Sequence, residues 1–467
     1  MRKLYFALII SLFTVCVQAQ KQKVKVHWTD GTQQSWAWGE NSRIDFSDES
    51  NIIIRVANGT DIMLKDLADS ISFGYEEGFD TYVTAMETQK LPIFIIATQD
   101  AKDIVVKDEW LENTSFTIIN LDGSMTDTFG KIKGRGNATW SYPKKPYSIK
   151  FSSKQELWGF APNKNWALLA EYCDRTLLRA AYTCAISKAT GIEYTVNYQP
   201  VILYLNGEYR GVYVLTDKVE KAKDRIDIED DGYIIEDDND YVHTKVYFIT
   251  DEFNRPYSFK YPDPDTDITK GDDNYVFIRS FMNQAESALL LLSDNPDDTQ
   301  YQEFFDLEAF AKYYIASEVL LNFDPNRFYV LPSKTSKLMM MPLWDWEWSM
   351  GLWPMVWGNP PKNIATDIHW DRMYYFKFLF LSPAFRKVVK EEWKKFKSNV
   401  QQVRDEIEKV RESIAIAQID NYIKWPQTGQ QLNVRFDTWE QEVDYVNQFF
   451  EDRIVWMDEY IASLAEN

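Results

Sequence analysis

The apolar pattern of the chain changes once along its length, and this change constrains the fold most. Before about residue 274, short apolar runs such as Leu91–Ala97 and Phe116–Leu121 alternate with turn residues, as is typical of β-strands. A hairpin is predicted where Asn206-Gly207 separates Val201–Leu205 from Gly211–Thr216. Beyond that point the spacing becomes helical. The sequence therefore predicts an α+β fold, with a cleft where its β-rich and helical parts meet.

Helical spacing predicts one helix within the β-rich part and several after it. The early helix covers Arg175–Ala189 and ends before Gly191. A short strand pair is predicted at Arg327–Leu331 and Lys337–Leu343. The later helices are predicted at Tyr275–Leu292, Leu307–Leu321, Ser382–Ser398, Val403–Tyr422 and Thr438–Ala465.

The first residues predict export. Arg2 and Lys3 precede an apolar run too short to span a bilayer well, and Val17-Gln18-Ala19 resembles a cleavage site, so residues 1–19 are interpreted as a signal peptide. A lipid anchor at Cys16 ranks second, because Phe13-Thr14-Val15 is a poor lipidation motif. We therefore expect an extracytoplasmic protein, whether secreted, periplasmic or at the cell surface, with no transmembrane segment in the mature chain.

Residues 20–78 are predicted to form a small β module ahead of the main domain. Asp30-Gly31 and Asn58-Gly59 each lie between apolar runs, which is the pattern of two hairpin-like repeats. An acidic, glycine-containing linker follows at Glu76–Asp80. Residues 80–467 are then interpreted as the main domain, β-rich over about 80–260 and helical over about 270–467.

Charge and cysteine content exclude two classes of function. The chain has 51 basic and 71 acidic residues, a net charge of −20, whereas a nucleic-acid partner would require a basic face. Three histidines, with the two cysteines left after signal removal, are too few to predict a zinc site. Cys173 and Cys184 both fall in an apparent helix, which would hold them too far apart for a disulfide, so two buried free thiols are expected.

The segment 131–151, KIKGRGNATWSYPKKPYSIKF, is the most informative stretch and predicts an anion site. Arg135 and Asn137 lie in a glycine-flanked turn, and glycine lets the backbone turn sharply and approach a ligand closely. Lys144 and Lys145 precede an alternating strand at Tyr147–Phe151. Arginine and lysine both suit phosphate oxygens. The alternative interpretation is a hairpin with a basic edge strand.

A second candidate site is the alternation of tryptophan and acid in Trp344-Asp345-Trp346-Glu347-Trp348. In a strand, alternate residues share a face, so Asp345 and Glu347 would lie on one side and the tryptophans on the other. Two such carboxylates can hold Mg²⁺, or can be the acid/base pair of a glycoside hydrolase. A half-buried strand with a solvated acidic side is the structural alternative.

Upstream, Asp324 and Asn326 lie between a predicted helix and a predicted strand. An aspartate there can be a base beside a metal ligand, although the same pattern is typical of an Asx-Pro turn. The order along the chain is a Gly-rich turn, a lysine strand, an Asp/Asn loop and a second Asp. Phosphoryl transfer by kinases uses these parts in that order, whereas a glycosidase needs neither of the first two.

Together these segments resemble the CotH kinase family, named for spore coat protein H. The resemblance runs from about Leu91 to Tyr460, and all of its short pieces occur in the family's order, which is a specific signal. The resemblance implies an atypical, two-lobed, protein-kinase-like fold that binds ATP with Mg²⁺ or Mn²⁺. The pieces are Ile132–Trp140, Pro143–Tyr147, Trp166–Ala170 with Asp174, Arg175 and Arg179, Leu205–Tyr213, and Pro342–Asp345.

The resemblance also implies roles for the basic residues of the first candidate site. Lys145, or else Lys144, would be the lysine that contacts phosphate, and we prefer Lys145. Strand alternation would place Lys145 on the same face as Tyr147. Arg135 and Asn137 would join the lysines in binding ATP.

For the acidic residues, the resemblance implies that Asp324 is the catalytic aspartate and Asp345 the metal ligand. Two departures from the family pattern stand out. Glu347 occupies the position of a second aspartate, and the segment after Asp324 is short, so Asn326 is taken as the further metal-ligating residue. These departures leave a pseudokinase as an alternative.

The leading hypothesis is therefore an exported protein kinase that uses ATP and Mg²⁺ to phosphorylate Ser or Thr of secreted or surface proteins. The expected partners are a nucleotide and an exported protein substrate, with no nucleic acid. A second hypothesis is a pseudokinase that acts as a surface binding or adhesion protein. The third is a carbohydrate-active enzyme that uses Asp345 and Glu347.

Overall fold

The computed structural model of the chain has an α+β fold, as the sequence predicts. It describes the backbone of six strands between residues 22 and 75, and then residues 79–238, 240–322, 326–352, 375–426 and 436–465. Residues 1–21, with the predicted signal peptide and Cys16, lie outside the described residues.

The first six strands form two three-stranded antiparallel sheets. Their order is β2-β1-β6 in one sheet and β3-β4-β5 in the other. The predicted hairpins correspond to β1–β2 and β4–β5, but each predicted repeat contributes its last strand to the other sheet. That this module is separable from the rest of the chain stays a prediction. The strands are β1 Gln22–Trp28, β2 Gln33–Trp38, β3 Arg43–Asp45, β4 Asn51–Val56, β5 Gly59–Leu64 and β6 Ala68–Tyr75.

A closed seven-stranded barrel follows, in the order β10-β11-β13-β12-β7-β8-β9. Every neighbouring pair is antiparallel except β12 and β7, which run parallel. The hairpin predicted around Asn206-Gly207 is confirmed as β12–β13. The barrel strands are β7 Ile93–Ala97, β8 Leu111–Ile119, β9 Met125–Gly134, β10 Tyr147–Leu157, β11 Phe160–Leu169, β12 Tyr198–Leu205 and β13 Glu208–Asp217.

Alternation of side chains fills the barrel and leaves a polar outer face. Ile132 on β9, Ile149 on β10 and Trp166 on β11 are fully buried inside, and they alternate with outward residues such as Lys131 and Lys150. Closure of the barrel was not predicted, because alternation assigns residues to faces but does not say which edge strands pair.

A second, five-stranded sheet joins the two halves of the chain. Its order is β15-β16-β14-β17-β18, so strands from the helical half pair with strands from the β-rich half. The predicted strand pair is confirmed as β17–β18, with the second strand shorter than expected. The strands are β14 Tyr233–Asp237, β15 Tyr247–Ile249, β16 Pro256–Tyr261, β17 Arg327–Leu331 and β18 Met339–Met340.

The helices pack against this second sheet and one another in a continuous apolar cluster. The predicted boundary between Ser398 and Val403 is wrong: a single 32-residue helix, α6, runs through it, because the residues between include neither Gly nor Pro to end it. The helices are α1 Phe79–Gln89, α2 Arg179–Thr190, α3 Asp273–Leu290, α4 Leu307–Leu320, α5 Tyr375–Leu379, α6 Pro383–Ile414, α7 Ala417–Lys424 and α8 Trp439–Ser463.

The two thiols are free and buried, as predicted, but only Cys184 lies in a helix. Cys173 precedes α2, because that helix begins at Arg179 rather than Arg175. Among the described residues, no helix is both long and apolar enough to cross a membrane.

Candidate active site

The glycine-rich turn after β9 carries Arg135 to the outer face of the barrel. The Arg135 backbone N–H donates to the Pro146 carbonyl at 3.2 Å and so extends the β9–β10 ladder by one residue. Gly136 then adopts a φ of +85°, and a Cβ there would collide with Thr139 Oγ1. Both the backbone angle and the close approach require glycine at this bend.

Arg135 links the two candidate sites predicted from the sequence. Its guanidinium lies over the Trp344 ring, 4.6 Å from the centroid, and its Nη2 is 3.2 Å from Asp345 Oδ2. Trp344 is held in turn because its Nε1 donates to the Asp217 carbonyl at the end of β13, at 2.7 Å. The fold thus brings the glycine-rich turn and the tryptophan-rich segment into direct contact.

Asn137, the next predicted residue, lies at the exposed rim of the site. Its Nδ2 donates to Asp240 Oδ2 at 2.9 Å, and its Oδ1 accepts from Lys107 Nζ at 3.3 Å. Asn137 is not one of the residues that line the cleft beside Asp345.

Lys144 is buried in the wall of that cleft. Its Nζ donates to the Val212 carbonyl on β13 and, at 3.0 Å, to Asn421 Oδ1 on α7, and it lies 4.7 Å from the centre of the Tyr213 ring. Asn421 can approach because Gly211 has no Cβ, which would collide with Asn421 Oδ1. Burial lowers the pKa of Lys144 to about 7, since desolvation disfavours the ammonium.

Lys145, which strand alternation favoured, has different surroundings. Its Nζ donates to the Trp140 carbonyl at 2.6 Å and lies over the Trp140 ring, and its own carbonyl accepts from Tyr213 Oη at 2.9 Å. Lys145 precedes the first residue of β10, so strand alternation does not orient it. Of the two lysines, Lys144 is the one that lines the cleft.

Glu171 faces Lys144 across the cleft, and sequence reasoning did not single it out. It follows β11 with a φ of +48°, is 3% exposed, and its Oε2 has no hydrogen-bond partner among the described residues. Burial raises the pKa of Glu171 well above its usual value, and the nearby Glu347, Asp174 and Asp345 raise it further, whereas Lys144 lowers it. A buried acid with one oxygen left without a hydrogen bond, in a disfavoured backbone conformation, is typical of a functional site.

The tryptophan-rich segment is not a strand, so the predicted separation of its two faces is wrong. Asp345 adopts a φ of +63°, which breaks the alternation of an extended chain. Trp346 is buried against Tyr313 in the helical core. Asp345 and Glu347 nevertheless line the same cleft, because the bend at Asp345 turns both carboxylates toward it.

Arg179, at the start of α2, holds this segment in place. Its Nε donates to the Ser349 carbonyl at 2.9 Å and its Nη2 to the Met350 carbonyl at 3.2 Å, while its Nη1 pairs with Asp174 at 2.5 Å. Asp174 is fully buried and also accepts from the backbone N–H of Thr176 at 2.9 Å. Asp174 and Arg179, which both belong to the motifs shared with the family, therefore act as a buried pair, and Arg179 holds the backbone that follows Asp345 and Glu347.

Glu347 is the more deeply buried of the two acids in the segment. Burial, together with the neighbouring Asp345, raises its pKa to about 8, although Arg135 acts in the opposite direction. A glutamate so placed favours its protonated form at neutral pH.

Asp324, the predicted catalytic aspartate, lies outside the described residues, but residues on both sides of it are described. On one side, the Leu320 carbonyl accepts from the Met350 N–H at 2.7 Å. On the other, Asn326 Nδ2 donates to the Trp344 carbonyl at 3.4 Å. Described residues on either side of Asp324 thus contact the stretch of chain that carries Asp345.

The cleft lies between the outer face of the barrel and the loops of the helical half. Its cavity volume is only about 10 Å³, far below the roughly 300–1,000 Å³ of pockets that take a whole small-molecule ligand. Its lining residues are Arg135, Thr139, Tyr142, Lys144, Pro146, Leu169, Ala170, Glu171, Tyr172, Asp345 and Glu347.

This donor set is compatible with Mg²⁺ held together with phosphate. Mg²⁺ is usually bound by one or two carboxylates plus substrate phosphates, and Asp345 and Glu347 supply two. Among the described residues, no three His, Cys, Asp or Glu side chains are grouped to hold a metal by themselves. Arg135 would have to exchange Asp345 for phosphate when such a ligand enters.

Two residues of the candidate site, Glu171 and Asn421, were not predicted from the sequence, for different reasons. Glu171 directly follows the buried run Trp166–Ala170, and an acid at the end of a buried strand is a usable signal. Asn421 lies on a helix 277 residues from Lys144, and only the tertiary fold brings the two together.

Comparison with known proteins bears on the whole arrangement. The sequence matches the family described as CotH kinase protein over residues 132–457. A search of curated proteins found no significant match. The matched region contains Arg135, both lysines, Glu171 and the tryptophan-rich segment, but it omits β7, β8 and most of β9, which close the barrel. Since the match covers more than half of the chain, the protein belongs to the CotH kinase family.

Proposed function

We propose that this protein is an exported, two-lobed, kinase-like enzyme that transfers the γ-phosphoryl group of ATP to a Ser or Thr hydroxyl of another exported protein. The observation that carries the proposal is the convergence of Arg135, Lys144, Asp345 and Glu347 on one cleft. These residues come from two segments far apart in the chain, and cations for phosphate beside acids for a metal are the parts that phosphoryl transfer needs. The export rests on residues 1–19, as interpreted from the sequence.

The cations of the cleft would bind and orient the phosphates. Arg135 presents a planar fork that is fixed by the Trp344 ring below it, so little side-chain freedom is lost when it contacts an anion. Lys144 is held by Val212 and Asn421 and has a pKa near 7. A phosphate nearby would favour the ammonium, so Lys144 would take up a proton as the nucleotide binds.

The acids would hold the metal that accompanies the nucleotide. Asp345 would be the main ligand and Glu347 the second, with Asn326 beside them through its contact with the Trp344 carbonyl. Bound Mg²⁺ or Mn²⁺ would neutralise the phosphate charge. Glu347 would release its proton on contact with the cation, since its pKa is raised chiefly by burial.

Asp324 is proposed to orient the acceptor hydroxyl and accept its proton. The proposal rests on its place in the sequence between Leu320 and Asn326, which both contact the stretch of chain that carries Asp345. Asp324→Asn should leave nucleotide binding nearly intact and lower transfer by a factor on the order of 10², as for loss of a positioned base.

Thermal shift with Mg·ATP, followed by incubation with labelled ATP and mass spectrometry of the products, tests the function. Asp345→Asn should lower both nucleotide binding and transfer. Lys144→Ala should weaken nucleotide binding more than Lys145→Ala, which is the matched control one residue away. A wild-type chain with no affinity for Mg·ATP at millimolar concentration would overturn the proposal.

One observation favours a second candidate, a pseudokinase that serves as a binding protein. Asp345 is already paired with Arg135, so these two charges neutralise each other without a ligand. The cleft between them and Lys144 is also small. Should the wild type bind Mg·ATP and transfer nothing, Glu347→Asp is the rescue to attempt, because the shorter side chain restores the family's second aspartate. Failure of that variant to transfer phosphate would favour the binding protein.

A further inference from the structure

A line of basic side chains runs along the outside of the barrel and ends in the cleft. Lys131, Lys133 and Arg135 are alternate residues of β9 and its one-residue extension, and they share the outward face because Ile132 between them is buried inside the barrel. Lys150 on β10 lies directly opposite Lys131. We call these four cations the basic stripe.

The basic stripe is unusual in two respects. It stands out on a chain whose net charge is −20. It also places Lys131 and Lys150 as directly paired like charges across two antiparallel strands, an arrangement that destabilises a sheet. Lys164, on β11, lies beside them in the same groove. Within the described part of the chain, neither Lys150 nor Lys164 forms an ion pair, so their charges are available to a ligand.

The first two cations of the stripe are held in position. Lys131 Nζ and Lys133 Nζ lie 5.3 and 5.2 Å from the centre of the Trp110 ring. Two exposed acids hold them loosely: Glu112 is 2.9 Å from Lys131, and Asp108 is 3.7 Å from Lys133. A partner with its own carboxylates can displace such exposed pairs, because each contributes only about 1 kcal/mol or less.

The spacing of the stripe matches an extended peptide. Alternate residues of a strand are about 6.6 Å apart, both in β9 and in a peptide lying along it. With the acceptor hydroxyl at the cleft beside Arg135, side chains two and four residues away would face Lys133 and then the Lys131–Lys150 pair.

We propose that the basic stripe binds the substrate as an extended acidic segment, with Asp or Glu at alternate positions from the acceptor Ser or Thr. This inference names the substrate class of the proposed kinase and rests on that function for the role of the cleft, but the binding itself does not depend on transfer. Negative side chains on the partner complement the stripe and would give the complex its register and a salt-dependent association rate.

The test is fluorescence anisotropy with the full chain, without nucleotide, at low salt. The first labelled peptide has Glu at the second and fourth positions after a Ser, and the second has Glu at the second and fourth positions before the Ser. Each has a matched peptide with Gln in place of Glu. One Glu peptide should bind at least about fivefold more tightly than its Gln counterpart, and raised salt should remove the difference. Equal binding of Glu and Gln peptides would overturn the proposal.

Charge variants show whether the stripe is responsible. Lys131→Glu with Lys150→Glu should weaken Glu-peptide binding at least about fivefold, whereas Lys188→Glu, an exposed lysine at the end of α2, should change it less than twofold. Glu112→Gln should tighten binding, because it frees Lys131. An equal effect of Lys188→Glu, or no effect of Glu112→Gln, would contradict the proposal, as would binding of a sulfated polysaccharide alone.

The two proposals fail separately. Peptide binding through the stripe without phosphate transfer would support the acidic partner and refute the kinase activity. If phosphate were transferred to a protein without acidic segments, and the stripe variants did not change the rate, the kinase activity would be supported and the stripe would be refuted as a docking surface.

Discussion

Replacement of Lys144 by methionine should change how the stability of the protein depends on pH. The side chain is 1% exposed, and burial lowers its pKa from 10.5 to about 7. Each pKa unit corresponds to about 1.4 kcal/mol, so holding the ammonium inside the fold costs about 5 kcal/mol. Methionine has a similar length and no charge, so it removes this cost.

The sign of the pH dependence follows from the two pKa values. Between about pH 7 and the unfolded value, the unfolded chain keeps the Lys144 proton and the folded chain has released it. The unfolded state therefore binds more protons, and raising the pH stabilises the fold. From pH 7 to pH 9 the wild type should gain about 2 kcal/mol in free energy of unfolding relative to Lys144→Met.

Urea denaturation of both proteins across this pH interval is the assay. Loss of the hydrogen bonds to Val212 and Asn421 shifts the variant by a nearly constant amount, so the slope with pH is the informative quantity. Lys154→Met, at an exposed lysine of β10, controls for the loss of one lysine. Repeating the comparison in a Glu171→Gln background removes the acid that interacts with Lys144.

A difference between wild type and Lys144→Met that does not change from pH 7 to pH 9 would refute the reasoning. It would mean that Lys144 reaches water in the folded protein and already carries its proton. Nucleotide binding would then cause no proton uptake by Lys144.

Further predictions concern the turn, the acid and the buried ion pair. Gly136→Ala should lower the free energy of unfolding by about 1–2 kcal/mol more than Gly159→Ala, because both glycines have a positive φ but only the Cβ at 136 would collide with a neighbouring atom. Urea denaturation measures the difference, and equal losses would contradict the prediction. The wild type should lose stability as the pH rises from about 5 to 8, by at most about 1.4 kcal/mol per pH unit, because the folded Glu347 keeps its proton up to about pH 8 and the unfolded one does not. Glu347→Gln should abolish this loss, and parallel pH profiles of the two proteins in denaturant melts would refute the prediction. Arg179→Met should cost about 3–5 kcal/mol by leaving Asp174 buried without its cation, and a loss below about 1 kcal/mol in the same assay would show that the pair is not buried in solution.

Much of the fold could be predicted because it is local. The hairpin β12–β13 follows from a two-residue turn between alternating runs, and the helix α2 ends at Gly191, whose φ of +74° suits glycine. The Gly-rich turn could also be located, since the positive φ at Gly136 depends on the residue itself.

What the sequence by itself determined is the order of the elements and the residue types that can bind phosphate and metal. Tertiary structure alone decided that β12 pairs with β7 in a closed barrel, that Lys144 rather than Lys145 lines the cleft, and that Arg135 meets Asp345. The physical reason is that these outcomes depend on contacts between residues far apart in the chain. The Lys144 environment, for example, is set by Asn421 on α7, a partner that no local pattern around either residue specifies.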